Sequence, residues 1–122
     1  MHIISNLQQG GAERQLIELV KKNKHHAICQ LASGSIFDED IIKHNILRFN
    51  LNIKKNIFSI FSLYKLYKII KNYEPEIITT WMYHSSFLTV ILRKVILSNK
   101  IPLVWCLRCS NMETQYYSKL LK

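Results

Sequence analysis

The chain has 122 residues, which suits a single domain with a moderate hydrophobic core. A hydrophobic share of 48% and a mean hydropathy of +0.01 exclude a disordered protein, and three glycines with two prolines leave no flexible linker. Lysine and arginine number 17 against 8 acidic residues, so the formal charge of +9 favours anionic partners such as acidic lipid or phosphorylated small molecules. Nucleic acid is not expected as a partner, because the sequence has no basic arm and no aromatic RNP motif.

The start of the chain and its cysteines predict a cytoplasmic protein. Met1 leads directly into an apolar run, without the basic flank and small-residue cleavage site of a secretory signal. Three cysteines, an odd number, fit a reducing compartment. The longest apolar stretches, 76–92 and 95–107, are interrupted by polar residues, so we expect no membrane span.

The first predicted elements are a strand at 2–4, a polar loop that ends in Gly10 and Gly11, and a helix over 12–22. Glycine allows a ligand to approach the main chain closely. A helix that begins after such a loop directs its unpaired N–H groups and the positive end of its dipole toward it. The order of strand, glycine loop and helix therefore indicates a phosphate or anion seat, with a tight turn that binds nothing as the alternative.

The remaining pattern predicts alternating strands and helices. Further strands are expected at 27–32, 46–51, 76–81 and 101–107. Helices are expected at 38–44, 57–73, 86–97 and from 113 onward. This series predicts an α/β fold, a Rossmann-like parallel sheet flanked by helices.

Ligands of such sheets bind beyond the carboxyl ends of the strands. Three predicted loops, 5–11, 82–85 and 108–111, would meet at that edge. Their candidate functional residues are Gly10, Gly11, Tyr83, His84, Arg108 and Asn111.

The predicted helix at 57–73 carries polar residues at every third position, 59, 62, 65, 68 and 71. Because a helix has 3.6 residues per turn, the two serines and the three lysines of this series face nearly opposite directions. We expect the first half of the helix to be buried and the second half to expose an arc of lysines. Such a helix could lie on an anionic membrane surface, or it could be a core helix with solvated lysines.

Cys106 and Cys109 follow Trp105 with the C-x-x-C spacing of a thioredoxin active site, so a thiol redox protein is an alternative. The pair stands at the end of a predicted strand, however, where residues three apart point to opposite faces. A zinc site is favoured even less, because the sequence has no second pair of ligands at the spacing that zinc requires.

Three segments resemble the N-terminal domain of glycosyltransferase family 4, and they occur in that family's order across nearly the whole chain. The segments are GGAERQL at 10–16, EPEIITTWMYHS at 74–85, and PLVWCLR at 102–108 followed by Ser110 and Asn111. The resemblance implies the N-terminal half of a GT-B fold in a retaining, metal-independent enzyme without a cofactor. Such an enzyme transfers a sugar from a nucleotide-sugar donor to a glycan or lipid-linked acceptor.

The resemblance also implies roles for individual residues. Gly10 and Gly11 would contact the donor diphosphate, and His84 is the catalytic candidate. Thr79 and Trp81 stand where many relatives carry a His-x-His. The acceptor cleft would be bordered by Arg14, Trp81, Tyr83, Arg108 and Asn111.

In this family a second, C-terminal domain holds most of the donor, through two glutamates in an E-x7-E pattern. Since the chain has no such segment, we expect a truncated N-terminal domain that is inactive alone and that acts in the cytoplasm, on the inner face of the membrane. The alternative is a non-catalytic module that binds an anionic ligand or a partner protein supplying the missing half.

Overall fold

A computed structural model describes residues 1–54, 60–95 and 100–107. In chain order the elements are β1 (His2–Ile4), α1 (Gly11–Lys21), β2 (Ala27–Gln30), α2 (Asp38–Lys43), β3 (Leu47–Asn50), α3 (Ile60–Tyr73), β4 (Ile78–Trp81), α4 (Tyr83–Val95) and β5 (Leu103–Cys106). The five strands form one parallel sheet in the order β3-β2-β1-β4-β5. The predicted α/β fold with a Rossmann-like parallel sheet is confirmed.

Two hydrophobic cores lie on opposite faces of the sheet, because successive residues of a strand point to opposite faces. Ile4 of β1 packs with buried side chains of α1 and α2. Its neighbour Ile3 packs with buried side chains of α3 and α4. Each of these isoleucines is fully buried and contributes about 1.5–3 kcal/mol to stability by leaving water.

The order of the strands reverses between β1 and β4. The chain first builds outward from β1 through β2 to β3, and then returns to the other side of β1 to add β4 and β5. Ile4 and Trp81 are paired in the register of β1 and β4, so the loops that follow these strands start side by side. Doubly wound sheets bind their ligands at such a reversal, at the carboxyl edge.

The start of α4 differs from the prediction. The helix begins at Tyr83, whereas the sequence predicted a loop there and a helix from 86. The prediction was wrong because the Ser85 hydroxyl donates to the main-chain oxygens of Trp81 and Met82 instead of capping free N–H groups. Met82 has a φ of 73°, which turns the chain from strand to helix within one residue. Tyr83 and the histidine after it therefore lie in the first turn of α4.

In α3 the predicted end is confirmed and the predicted burial is not. The helix ends at Tyr73, before a Glu-Pro pair that disfavours helical angles. The expectation of a buried first half was wrong, because Phe61 is 62% and Tyr64 52% exposed. The buried row is narrow and consists of Ser62, Leu66 and Ile70.

The predicted start of this helix at 57 and the predicted helix from 113 lie outside the described residues. Within the described residues, no helix is long and apolar enough to cross a membrane.

Candidate functional site

The β1–α1 loop and the β2–α2 loop run side by side over the carboxyl edge of the sheet. The N–H of Leu7 donates to the oxygen of Gly34 at 3.3 Å, and the N–H of Ile36 donates to the oxygen of Leu7 at 3.0 Å. Gly34 has a φ of +101°, and a Cβ there would come within 2.8 Å of the Gln8 amide nitrogen. Both loops are therefore held in place by main-chain bonds and by a position that requires glycine.

A cavity of about 340 Å³ opens between these two loops. One wall belongs to the β1–α1 junction and is formed by Gln9, Gly10, Gly11 and Arg14. The other wall comes from Ile36 and Phe37, just before α2. A ligand with an anionic group beside an apolar or ring-like part fits the chemistry of the two walls.

The two glycines of the β1–α1 wall differ in what surrounds them. A Cβ on Gly10 would overlap the carboxylate of Glu13, which folds back over the loop. A Cβ on Gly11 would meet no atom within 4 Å. Packing inside the chain therefore explains a small residue at Gly10 and leaves the lack of a side chain at Gly11 unexplained.

The start of α1 has the electrostatic character of an anion seat. Gly10 is the N-cap in an extended conformation, and no side chain caps the N–H groups of the first turn. The positive end of the helix dipole and the exposed Arg14 both favour an anion there. Glu13 opposes it, since this residue is buried and its carboxylate lies beside Gly10.

Tyr83 and His84, the second predicted group, lie in the first turn of α4 after the neighbouring strand. Tyr83 is half-buried and His84 is exposed. The turn is fixed from inside by buried hydroxyl groups: Thr80 and Ser86 share a hydrogen bond at 2.9 Å, and Ser86 also donates to the oxygen of Met82 at 2.9 Å. His84 is thus presented to solvent at the same sheet edge as the glycine loop.

Trp81 is 4% exposed and belongs to the core on the α1 side of the sheet. Its indole N–H donates to Nδ1 of His2 at 3.2 Å, and Nε2 of His2 lies 3.0 Å from Nδ1 of His26. His2 therefore accepts on Nδ1 and donates from Nε2, which is the neutral tautomer, and burial lowers its pKa to about 4. The role of Trp81 in the acceptor cleft stays a prediction and would require the indole to leave this bond.

Several candidates near the end of the chain lie outside the described residues. They are Arg108, Cys109 and Asn111. Cys106 ends β5 as a half-buried free thiol, paired in register with Trp81. The described part of the chain contains no group of three His, Cys, Asp or Glu side chains that could hold a metal ion.

Sequence reasoning missed the apolar wall of the cavity and the carboxylate beside it. The turn Ser33-Gly34-Ser35 places the β2–α2 loop at the same edge, and this signal could have identified Ile36 and Phe37. The position of Glu13 depends on a side-chain conformation that no sequence pattern shows.

Comparison of the chain with protein-family models, with curated proteins and with solved structures finds no match.

Proposed function

We propose that this chain is the acceptor-side half of a retaining glycosyltransferase, which transfers a sugar from a nucleotide-sugar donor to a glycan or lipid-linked acceptor. Three ordered sequence segments support this proposal by their resemblance to glycosyltransferase family 4. The Rossmann-like parallel sheet and its reversal between β1 and β4 are compatible with it. The proposed site of action is the cytoplasm, at the inner face of the membrane.

The observation that carries the proposal is the open space at Gly11. Folding does not require a glycine there, because a Cβ would touch nothing, and the position faces a cavity of about 340 Å³. A ligand that approaches the main chain closely explains why the side chain is missing. In the proposed enzyme that ligand is the donor diphosphate, held by the N–H groups at the start of α1. Arg14, which the resemblance assigns to the acceptor cleft, lines the same cavity, and its charge adds to the attraction for an anion.

The other roles follow from the sheet edge that the residues share. His84 is proposed as the catalytic group because it is exposed directly after β4, the strand beside β1. Tyr83 lies in the same helical turn and is proposed to border the acceptor cleft. Arg108 and Asn111 are proposed for the acceptor cleft from the sequence resemblance alone. The chain by itself supplies one wall of the donor site, so we expect it to have no transferase activity.

Pyrophosphate is the probe for the anion seat, since every nucleoside-diphosphate sugar contains this group. Titration of the ¹⁵N-labelled chain should shift the amide signals of Gly10, Gly11 and Ala12, with a dissociation constant of about 1 mM, equivalent to about 4 kcal/mol. Gly11→Val should remove these shifts by filling the space. Arg14→Gln should weaken them, whereas Lys22→Gln, the same charge change at the other end of α1, should leave them intact.

Two results would contradict the proposal: undiminished shifts in Gly11→Val, or an equal loss in Arg14→Gln and Lys22→Gln. The coding sequence downstream of residue 122 gives an independent test, because an E-x7-E pattern about two hundred residues further on is expected for the family. Pyrophosphate binding without that pattern would favour the alternative, an anion-binding module that works with a separate partner.

A further inference from the structure

The exposed surface of α3 combines aromatic and basic side chains and contains no acidic residue. The side chains that face solvent are Ile60, Phe61, Tyr64, Lys65, Lys68, Lys71 and Asn72, which we call the α3 arc. At about 100° per residue these positions span about 140° of the helix surface. The buried row of Ser62, Leu66 and Ile70 lies on the opposite side.

Apolar exposure on the α3 arc is concentrated at its beginning. Ile60 is 87% exposed, and Phe61 and Tyr64 follow with more than half of their surface in solvent. Lysine ammonium groups lie over the rings one turn earlier, Lys65 at 5.1 Å from Phe61 and Lys68 at 5.8 Å from Tyr64. Aromatic rings flanked by lysines are typical of helices that lie in the interface between lipid headgroups and acyl chains.

The charge around the arc has one sign. No aspartate or glutamate occurs between Asp40 and Glu74, a stretch that contains all of β3 and α3. The acidic residues of the described chain lie instead on α1 and α2 or directly after α3. A surface that is basic and apolar at once complements an anionic bilayer better than it complements a neutral one.

A second cavity, of about 220 Å³, adjoins the beginning of the arc. Lys54 and Lys65 line it together with Asn52 and Phe61. Two ammonium groups and an amide beside an aromatic ring form a suitable environment for the phosphate of a lipid headgroup whose acyl chains lie along the arc.

We infer that the α3 arc docks this protein on a bilayer containing acidic phospholipid, with Ile60, Phe61 and Tyr64 at the level of the headgroups and the three lysines against the lipid phosphates. The apolar beginning of α3 lies at the carboxyl edge of the sheet, because each helix of a parallel sheet starts where a strand ends. The docked helix therefore has its apolar beginning, which lies next to the edge that carries the glycine loop, at the membrane surface.

The inference deepens the proposed function, on which its biological meaning rests, because a lipid-linked acceptor is presented at the membrane surface. The two remain separable in experiment. Vesicle binding tests the α3 arc, whereas pyrophosphate binding tests the start of α1.

The test is co-sedimentation of the 122-residue chain with vesicles of phosphatidylcholine and phosphatidylglycerol. We expect binding at low ionic strength that falls as salt is added, and little binding to phosphatidylcholine alone. Replacing Lys65, Lys68 and Lys71 by glutamine should weaken partitioning about 100-fold, on the order of fivefold per lysine.

The matched control replaces Lys22, Lys24 and Lys43 by glutamine. Both triple variants lower the formal charge from +9 to +6, yet the control residues lie outside α3, so the control should retain most of its binding. A second pair of variants tests the apolar part: Phe61→Ser should weaken binding, and Ile42→Ser, which removes an exposed apolar side chain from α2, should not.

Circular dichroism of each variant establishes that these surface changes leave the fold intact. Equal losses in the two triple variants would overturn the inference, because net charge rather than the arc would then drive binding. Equal binding to neutral vesicles would also overturn it. So would retention on heparin without any sedimentation with acidic vesicles, since the arc would then serve a soluble polyanion.

Discussion

The two neighbouring strand-to-helix junctions, β1–α1 and β4–α4, differ in whether their polar groups are paired inside the fold. At the β4–α4 junction the hydroxyl groups of Thr80, Ser85 and Ser86 are buried and bond to one another or to main-chain oxygens. At the β1–α1 junction no side chain caps the helix, and a cavity lies against Gly11. We call β4–α4 the closed junction, because its hydroxyl groups are paired inside the fold. We call β1–α1 the open junction, because its main-chain donors are available for a ligand. Position at the carboxyl edge alone therefore does not identify a binding element.

The largest expected effect comes from breaking the closed junction at Trp81. Trp81→Ala should lower the free energy of unfolding by about 3–5 kcal/mol, because it leaves a large cavity in the core and removes the bond to His2. Trp105→Ala is the matched control, since Trp105 is 54% exposed on β5. Urea denaturation measures both, and similar losses would contradict the central role of Trp81.

His2, which accepts the hydrogen bond from Trp81, should make the stability of the protein depend on pH. The pKa of His2 falls from 6.5 in the unfolded chain to about 4 in the fold, chiefly because the ring is buried. A lowered histidine pKa means that stability is fully present above about pH 6.5 and is lost as the pH falls toward 4, by up to roughly 3 kcal/mol. Protonation would also place an N–H on Nδ1, opposite the indole N–H of Trp81.

Urea midpoints measured from pH 7.5 to 4 test this dependence. His2→Asn should flatten the curve between pH 6.5 and 4, whereas His25→Gln, at an exposed neighbouring position, should leave it unchanged. A curve of equal slope in His2→Asn would assign the pH dependence to other groups.

A smaller effect is expected from the hydroxyl pair of the closed junction. Ser86→Ala should cost about 1–2 kcal/mol, because the buried Thr80 hydroxyl donates to Ser86 and would then have only the oxygen of Val104, at 3.5 Å, as an acceptor. The double variant Thr80→Val with Ser86→Ala should recover part of this loss by removing both polar partners. Ser33→Ala, at an exposed loop position, serves as the control. If the double variant recovers no stability, the two side chains contribute through packing rather than through their hydrogen bond.

The smallest effect belongs to the open junction. Gly11→Ala should leave stability unchanged or raise it by about 0.4–1 kcal/mol, because the new methyl group meets open space and the unfolded chain loses freedom. Gly10→Ala should be the less stable of the two, since the Glu13 carboxylate must move. Thermal unfolding distinguishes them. A clear destabilisation by Gly11→Ala would give that glycine a structural role and weaken the ligand interpretation.

Local sequence patterns sufficed for much of the fold. The apolar run at β1, the glycine loop and the helix of α1 follow from periodicity and turn chemistry within a few residues of one another. The start of α4 could not be predicted in this way, because Ser85 is equally suited to cap a helix from outside and to bond inward. Burial of the Ser85 side chain decides between the two, and burial is set by the strands around it.

Long-range contacts limited the prediction of the site in the same manner. Trp81 bonds to His2, which is 79 residues away in the sequence, and no local pattern links them.

Along α3 the spacing of serines and lysines correctly separated a buried row from a basic one. It did not indicate that Phe61 and Tyr64 lie on the basic side, because aromatic residues occur all around this helix.

The central position of β1 has a consequence for how the chain reaches this fold. His2 pairs with Ile28 on one side and with Thr79 on the other, so one edge of the first strand stays unpaired until β4 has left the ribosome. Nascent chains that wait for distant partners fold late and expose strand edges to wrong pairing. We therefore expect β1 to remain open to wrong pairing until β4 has been made, so that the sheet forms late rather than stepwise along the chain.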